Sequence, residues 1–286
     1  MGANTAEAPS ALGLDRFRNG YGTWEPTLGM RDREWYVDIL AAAIEAGYRH
    51  IDSAQMYDTE EILRDAIAKT DIDPAELFIA TKLDLEAMGY DDVLRTADES
   101  RRRLGVDTID LFYVHVPVET YDPDRTLPAL DRAVDEGLVA RIGLSNFPQG
   151  MLLDALERLE HPVFAHQIEM HPLLQQRELR EIAVEHGHWV VGFSPMMRGL
   201  VGEVVELQEI AGKHGVSPAQ ISLAWLHAQP NVATLLHSTN PRRLAEGANG
   251  PNVALDADDL AKIDAIDREW RGYDDRSDPW HQPGGK

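Results

Sequence analysis

Four side chains capable of acid–base chemistry stand where apolar runs of the sequence end. Asp52 and Tyr57 lie in "HIDSAQMYD", Lys82 in "FIATKL" and His115 in "LFYVHVP". A phenol has a pKa of about 10 in water, which makes it a weak proton donor at neutral pH. A nearby ammonium favours the phenolate and lowers that pKa, so Lys82 could activate Tyr57 while Asp52 keeps the lysine charged.

His115 adds a hydrogen-bond donor that could face a carbonyl oxygen as the oxygen gains negative charge. Together the four groups predict a reduction in which hydride reaches a carbonyl carbon and Tyr57 protonates the oxygen. This chemistry requires a fold that brings side chains from distant parts of the sequence to one site.

A repeated unit in the chain can do this. "IEAGYRHIDS", "VDEGLVARIGLSN" and "AVEHGHWVVGFSP" each pass from a helical pattern through Gly into a β-rich run that ends at a polar residue. A Gly after a helix supplies the left-handed conformation, and a continuous Val, Ile and aromatic run suits a strand buried on both faces. About eight alternations of strand and helix predict a parallel sheet closed into a (β/α)₈ TIM barrel.

Local signals place two of the helices. Apolar spacing predicts a helix from Asp32 to Ala46. In "SPAQISLAWL", Ser217 is the expected N-cap, with Pro218 in the first turn and Gln220 completing a capping box. No linker divides the chain, so residues 1–286 are expected to form one domain, with a barrel from about 18 to 250 and a C-terminal arm from 251 to 286.

Every predicted strand ends at polar or small residues. In a parallel barrel these ends form a ring at the C-terminal face, where active sites lie. The ring consists of Gly22–Thr23, Asp52, Lys82, His115, Ser145–Asn146, Gln167, Ser194 and His237–Ser238. So many polar ends in succession predict a functional site.

Composition excludes several other classes of function. The chain has no cysteine, which excludes disulfides, thiolate catalysis and Cys-ligated metals. Its 49 acidic and 27 basic residues give a net charge of -22, which argues against nucleic-acid binding. Abundant acid with scarce lysine resembles proteins of salt-loving archaea. With no long apolar run and no signal-peptide pattern, we expect a cytoplasmic protein without a membrane partner.

Eight motifs resemble, in order and spacing, the successive motifs of the aldo-keto reductase superfamily. They are "NGYGTW", "GYRHIDSAQMYDTEE", "FIATKL", "DLFYVHVP", "GLSNF", "HQIEMHP", "GFSPMMRG" and "HSTNPRRLAE". The resemblance implies a (β/α)₈ barrel that reduces aldehydes or ketones with a nicotinamide cofactor, usually NADPH. It implies Tyr57 as proton donor, Lys82 and Asp52 as the groups that tune it, and His115 as the residue that orients substrate.

The resemblance also implies a cofactor site without a Rossmann fingerprint, since position 25 of "GYGTWE" is Glu. Amide and hydroxyl groups would hold the carboxamide, and an aromatic side chain would stack on the nicotinamide ring. The loops after the last two strands would hold the phosphates. The implied cofactor residues are Gly22, Thr23, Ser145, Asn146, Gln167, Phe193, Ser194, Met196, Arg198, Gly199, His237, Ser238, Thr239, Arg243 and Glu246, and the implied substrate-pocket residues are Trp24 and Val116.

Three positions depart from the family's pattern. His237 stands where a Lys is frequent, Gly247 where an Asn is common, and Val116 where a Trp is frequent. Arg243 keeps the family's Arg and can bind a phosphate bidentately. We therefore expect NADPH to be used, NADH to be accepted as well, and a small carbonyl compound to bind a less aromatic pocket. A monomer or weak oligomer is expected.

Other interpretations of the same residues were open. Lys82 could form a Schiff base in a lyase or aldolase, although Tyr57 would then have no role. A non-catalytic nicotinamide-sensing subunit could use the same barrel, although the intact set of four polar groups argues against it. "HQIEMH" suggests a metal site, but strand alternation separates His166 from Glu169 and His171. No metal site is expected.

Overall fold

The barrel is closed and entirely parallel. The computed structural model describes residues 17–25, 27–273 and 279. Its strands are β1 (Asn19–Gly22), β2 (His50–Asp52), β3 (Phe78–Leu83), β4 (Leu111–Val114), β5 (Ile142–Ser145), β6 (Val163–Glu169), β7 (Trp189–Phe193) and β8 (Val232–Leu236). Each strand pairs in parallel with the next, and β8 pairs with β1. The predicted (β/α)₈ barrel is confirmed.

Helices surround the barrel. They are α1 (Arg33–Glu45), α2 (Glu60–Ala68), α3 (Tyr90–Leu104), α4 (Pro123–Asp135), α5 (Gln149–Arg158), α6 (Arg177–His186), α7 (Val205–His214), α8 (Pro218–Ala228), α9 (Pro241–Ala248) and α10 (Ala257–Asp264). Two helices, α7 and α8, lie between β7 and β8 in the chain. None of the described helices has the length and apolar character needed to cross a membrane.

The helix starts follow the sequence signals, with one exception. Asp32 caps α1 by accepting from Glu34 N, and the helix spans the predicted region. Ser217 Oγ accepts from Gln220 N at 3.3 Å, so the predicted N-cap of α8 is confirmed. The predicted reciprocal contact is wrong, because Gln220 Oε1 accepts from Asn252 N instead. That bond ties the segment after α9 to α8, a tertiary contact that local sequence does not encode.

Aromatic packing closes the N-terminal end of the barrel. The Phe17 ring stacks on His50 with centroids 4.4 Å apart and meets Phe78 edge-on at 5.0 Å. Higher in the barrel, Gly143 lies against Tyr113, and a Cβ at Gly143 would come within 2.3 Å of that ring. The interior is thus filled with side chains, and the polar C-terminal ends of the strands form the opposite, open end.

The segment after residue 250 is more structured than the expected arm. It contains α10, whose N-terminus has a full capping box between Asp256 and Asp259. Ile263 and Ile266 are buried in the cluster formed with α7 and α8. Residues 251–273 therefore pack on the barrel, while 274–278 and 280–286 of the expected arm lie outside the described residues.

Candidate active site

The four predicted acid–base residues converge at the C-terminal end of the barrel. Asp52 is the last residue of β2, Lys82 the penultimate residue of β3, and His115 directly follows β4. Tyr57 ends a single 3₁₀ turn, Gln55–Tyr57, that follows β2. The ends of three neighbouring strands therefore bring groups from distant parts of the chain together.

Asp52 and Lys82 form a buried ion pair behind the site. Lys82 Nζ donates to Asp52 Oδ1 and to Ser53 O, the latter at 2.7 Å, and its side chain is 0% exposed. Burial lowers the pKa of Lys82, while the charge of Asp52 opposes that shift. Asp52 Oδ2 accepts from Gln167 Nε2 at 2.9 Å, so both carboxylate oxygens have partners.

Tyr57 contacts both His115 and Lys82. Its hydroxyl lies 3.3 Å from His115 Nε2, and the two rings are nearly perpendicular. Lys82 Nζ lies 5.0 Å from the centre of the Tyr57 ring. Burial, together with the negative charge of Asp52, raises the pKa of Tyr57. The expected net lowering of this pKa is not observed, because burial outweighs the charge of Lys82, whose ammonium bonds to Asp52 and Ser53.

His115 is held as a neutral imidazole. Burial, reinforced by the positive charge of Lys82, lowers its pKa well below the usual value. Its carbonyl oxygen accepts from Asn146 Nδ2 at 3.0 Å, which fixes the backbone after β4. A neutral ring carries one N–H, so His115 Nε2 can either accept from Tyr57 or donate to an oxygen placed between them.

A chain of hydroxyl groups supports the opposite side of the site, and the sequence analysis did not identify it. Thr59 Oγ1 lies 2.7 Å from Thr23 Oγ1 and 2.8 Å from Ser53 Oγ. Tyr36 OH donates to Thr23 O at 2.7 Å. These bonds join the loops after β1 and β2 and fix the turn that carries Tyr57. The sequence feature that could have indicated this chain of hydroxyl groups is the Ser and Thr on either side of Tyr57 in "DSAQMYDT".

The three predicted carboxamide residues also lie together. Asn146 Nδ2 donates to Ser145 Oγ at 3.0 Å, and Asn146 has a left-handed backbone with φ of 60°. Ser145 and Gln167 are paired across β5 and β6, and both are buried. Their hydroxyl and amide groups line the end of the barrel next to Asp52.

The loop after β7 brings the next predicted residues to the same face. Ser194, Arg198 and Gly199 all have positive φ, and Met196 precedes the turn Met197–Glu203. Turns of this kind can direct backbone N–H groups towards an anion. The structure therefore gives the predicted phosphate-binding loop a suitable backbone conformation.

The region after β8 carries the last group of predicted residues. His237 Nδ1 donates to Gly22 O at 3.0 Å, and Tyr21 OH donates to Ser238 O at 3.0 Å. These bonds join the ends of β8 and β1. Thr239 follows directly, and Arg243 and Glu246 lie on exposed positions of α9.

Packing explains why position 247 is a glycine. A Cβ at this position of α9 would lie 2.2 Å from Tyr48 OH and 2.8 Å from Leu236. An Asn side chain, common at this position in the motif that the sequence resembles, does not fit against Tyr48. The departure from the family's pattern is therefore coupled to a tyrosine on the neighbouring segment.

A strap formed by residues 270–273 crosses the edge of the site. Glu169, 2% exposed, accepts from Gly272 N at 2.8 Å and from Tyr273 N at 3.3 Å, and lies 3.2 Å from His171 Nε2. The strap places Tyr273 edge-on against Phe193, with ring centroids 5.4 Å apart. Glu169 and His171 thus anchor the chain, a role that the motif "HQIEMH" did not reveal.

The predicted substrate-pocket residues lie at the rim. Trp24 follows Thr23 in the loop after β1 and is 43% exposed. Val116 follows His115 and is half-buried. Both side chains are therefore available to a molecule that enters the open end of the barrel.

Comparison with known proteins identifies the family of the chain. Residues 19–268 match the model of the Aldo/keto reductase family. The chain is 32% identical to a 9,11-endoperoxide prostaglandin H2 reductase of Trypanosoma cruzi over 255 residues, 88% of each protein. It is 35% identical to the glyoxal reductase of Bacillus subtilis over 234 residues, covering 82% of this chain and 84% of the relative.

Solved structures show the same fold. The Bombyx mori aldo-keto reductase in complex with NADP superimposes with a TM-score of 0.83 at 27% identity, covering 94% of each chain. The family match covers most of the sequence and includes every strand described above. The chain therefore belongs to the aldo/keto reductase family and is an NAD(P)H-dependent oxidoreductase of carbonyl compounds.

Proposed function

We propose that Tyr57 is the proton donor in the reduction of an aldehyde or ketone to an alcohol, and that Asp52, Lys82 and His115 support it. The observation that carries this proposal is the convergence of all four side chains at one end of the barrel, with Tyr57 OH and His115 Nε2 3.3 Å apart. A carbonyl oxygen placed between these two groups can receive a hydrogen bond from each.

The donor set at this end of the barrel fits a nicotinamide cofactor. Ser145, Asn146 and Gln167 offer the hydroxyl and amide groups that a carboxamide requires. The Phe193 ring offers an apolar face at the end of β7. When bound, NADPH would supply the hydride. These residues would hold the nicotinamide ring, and Tyr57 would supply the proton.

The charge state of Tyr57 and His115 suits proton donation. The raised pKa of Tyr57 keeps its proton in place until a stronger base appears. An alkoxide oxygen is a stronger base than a phenolate, so the reduced product can take that proton. Lys82, with its Nζ 5.0 Å from the ring, stabilises the phenolate that remains.

Two groups of residues are proposed to hold the phosphates. Ser194, Met196, Arg198 and Gly199 would line the pyrophosphate, supported by the positive φ angles of this loop. The loop after β8 and the start of α9 would hold the adenosine 2′-phosphate and the adenine. The residues proposed there are His237, Ser238, Thr239, Arg243 and Glu246, while Gly22 and Thr23 border the same face.

The two alternative classes have less support. A Schiff-base enzyme needs an accessible amine, whereas Lys82 is 0% exposed and bonded to Asp52 and Ser53. A non-catalytic sensor gives no reason for the contact between Tyr57 and His115. The buried ion pair and the position of Tyr57 both favour catalysis.

We further propose one domain over 1–286, a cytoplasmic location and a monomer or weak oligomer. Packing of Ile263 and Ile266 against α7 and α8 supports a single domain. A net charge of -22 and the absence of cysteine suit a reducing, salt-rich interior and oppose self-association. Light scattering at low and high salt tests the oligomeric state.

A cofactor-consumption screen tests the proposed function. Purified protein is mixed with NADPH and a series of aldehydes, ketoses and keto acids, and loss of nicotinamide absorbance is followed with identification of the alcohol. We expect at least one carbonyl class to be reduced by the native protein. If no carbonyl compound in the series is reduced although NADPH binds, the result would contradict the proposed reductase function and favour a non-catalytic nicotinamide-sensing subunit.

A further inference from the structure

An ion pair joins the first and last strand ends of the barrel. Glu25, in the loop after β1, lies 3.1 Å from His237 Nε2 through Oε2. The other ring nitrogen of His237 donates to Gly22 O at 3.0 Å. His237 is therefore held between two groups of the β1 end, at the position where the resemblance places a lysine.

The two partners of His237 occupy both of its ring nitrogens. A backbone carbonyl and a carboxylate are both acceptors, so each nitrogen is directed at an acceptor within the protein. Both ring nitrogens are therefore already engaged at the β1 end.

Glu25 is built into the loop as a carboxylate. Its side chain is 7% exposed, and Oε1 accepts from Thr27 N at 2.8 Å and from the Thr27 hydroxyl. Burial alone would raise the pKa of Glu25, but the bonds from Thr27 and His237 outweigh it and lower that pKa. A negative charge therefore stands beside His237 over the working pH range.

Two titratable side chains of the described residues contact His237. One is Glu25, and the other is Tyr21, whose ring centroid lies 5.6 Å away. Burial raises the pKa of Tyr21, so it is uncharged. The balance of charge around His237 is thus set by Glu25.

We propose that Glu25 is a specificity-determining residue that restrains the affinity for NADPH relative to NADH by holding His237 in this ion pair. The inference rests on the proposed 2′-phosphate site formed by His237, Ser238, Thr239 and Arg243. In the native protein the phosphate would meet an imidazole ring whose two nitrogens are engaged, and a nearby carboxylate. Arg243 then supplies the free positive charge.

The variant Glu25→Gln tests this directly. Gln keeps the oxygen that accepts from Thr27 but removes the negative charge. The carboxylate that opposes the phosphate is then gone, and His237 Nε2 is released from it and can turn to the phosphate. We expect Glu25→Gln to bind NADPH roughly 5-fold tighter or more. The Kd for NADH should change little.

Two controls separate local from general effects. Glu34→Gln removes an acid from the exposed face of α1, where Glu34 pairs with Lys69, and so changes the net charge without touching the site. It should leave the ratio of the two Kd values unchanged. In the double variant Glu25→Gln/His237→Gln, the part of the tightening that comes from the released His237 ring should disappear.

The measurement is Kd by fluorescence titration with NADPH and NADH, for native protein and each variant. An unchanged or weaker NADPH Kd in Glu25→Gln would overturn the inference. Equal tightening of NADPH and NADH would also overturn it, because Glu25 and His237 would then act on the pyrophosphate that both cofactors carry. If native protein binds neither cofactor, the proposed cofactor site fails as well. Arg243→Ala, expected to weaken NADPH alone, reports separately on the 2′-phosphate site.

Discussion

Lys82 Nζ lies 5.0 Å from the centre of the Tyr57 ring, over its face. The ammonium bonds to Asp52 and to Ser53 O instead. Lys82 therefore has two consequences. It pairs with a buried carboxylate, and it would offer positive charge to the ring if Tyr57 gave up its proton.

Lys82→Met should remove both effects. We expect carbonyl reduction to fall by about 100-fold or more, because the phenolate loses its cation. Stability should fall by about 3–5 kcal/mol, because Asp52 is left as a buried charge without its ion-pair partner. Steady-state kinetics and thermal unfolding measure the two losses, with the surface variant Lys69→Met as control. Native-like turnover in a folded Lys82→Met protein would contradict this role.

The strap at residues 270–273 depends on the Glu169 carboxylate. In Glu169→Gln, an amide NH₂ competes with the backbone N–H groups of Gly272 and Tyr273, so the strap should detach more often. We expect trypsin to cut after Arg271 on the order of 10-fold faster, since a buried hydrogen-bonded charge is lost. Glu178→Gln, on an exposed position of α6, is the matched control. Equal cleavage rates in both variants would show that Glu169 does not hold the strap.

Three buried histidines make the fold sensitive to acid. Burial lowers the pKa of His50 and His188 to about 4 and that of His166 to about 3. Below pH 6.5 the unfolded chain binds protons that the folded protein does not, so stability is full above that pH and is lost as pH falls towards 4. Each of these histidines should lower the free energy of unfolding by about 1.4 kcal/mol per pH unit in that window.

His166→Gln provides the matched test of this acid sensitivity. His166 Nε2 accepts from Phe147 N at 3.2 Å, and the Gln oxygen can replace it without titrating. Urea unfolding at several pH values should show a shallower loss of stability in His166→Gln than in the native protein. A free energy of unfolding that is constant between about pH 6.5 and 4.5 would refute the account.

Salt should stabilise this protein. The net charge of -22 makes the folded chain repel itself in dilute buffer, and monovalent salt screens that repulsion. We expect the melting temperature and the reductase activity to rise together from dilute to molar salt. A melting temperature that stays flat or falls over this range would exclude the halophilic interpretation of the composition.

The barrel and the convergence of four polar side chains could be predicted, because the ends of the strands that carry them are marked locally in the sequence. Asp52, Lys82 and His115 each end an apolar run, and parallel topology alone brings such ends together. The contact of Glu25 with His237 could not be predicted, since it joins opposite ends of the chain at the closure of β1 with β8. The anchoring of the strap by Glu169 likewise depends on the path that the chain takes after α10.

The pKa of Tyr57 shows a different limit. Sequence indicated that Lys82 and Tyr57 are neighbours, which is correct, but it did not give the orientation of the ammonium. Because Lys82 Nζ bonds to Asp52 and Ser53 O, burial dominates and the pKa of Tyr57 rises. Side-chain direction within a site is set by the whole hydrogen-bond network and does not follow from residue order.

The kinetics of Tyr57→Phe test the central claim most directly. The variant removes one oxygen and keeps the ring that packs against His115. We predict that carbonyl reduction falls by a factor on the order of 10² to 10⁴, the usual size of a general-acid contribution, while the Kd for NADPH stays the same. Reduction at a near-native rate by Tyr57→Phe, with cofactor bound, would contradict the assignment of Tyr57 as the proton donor.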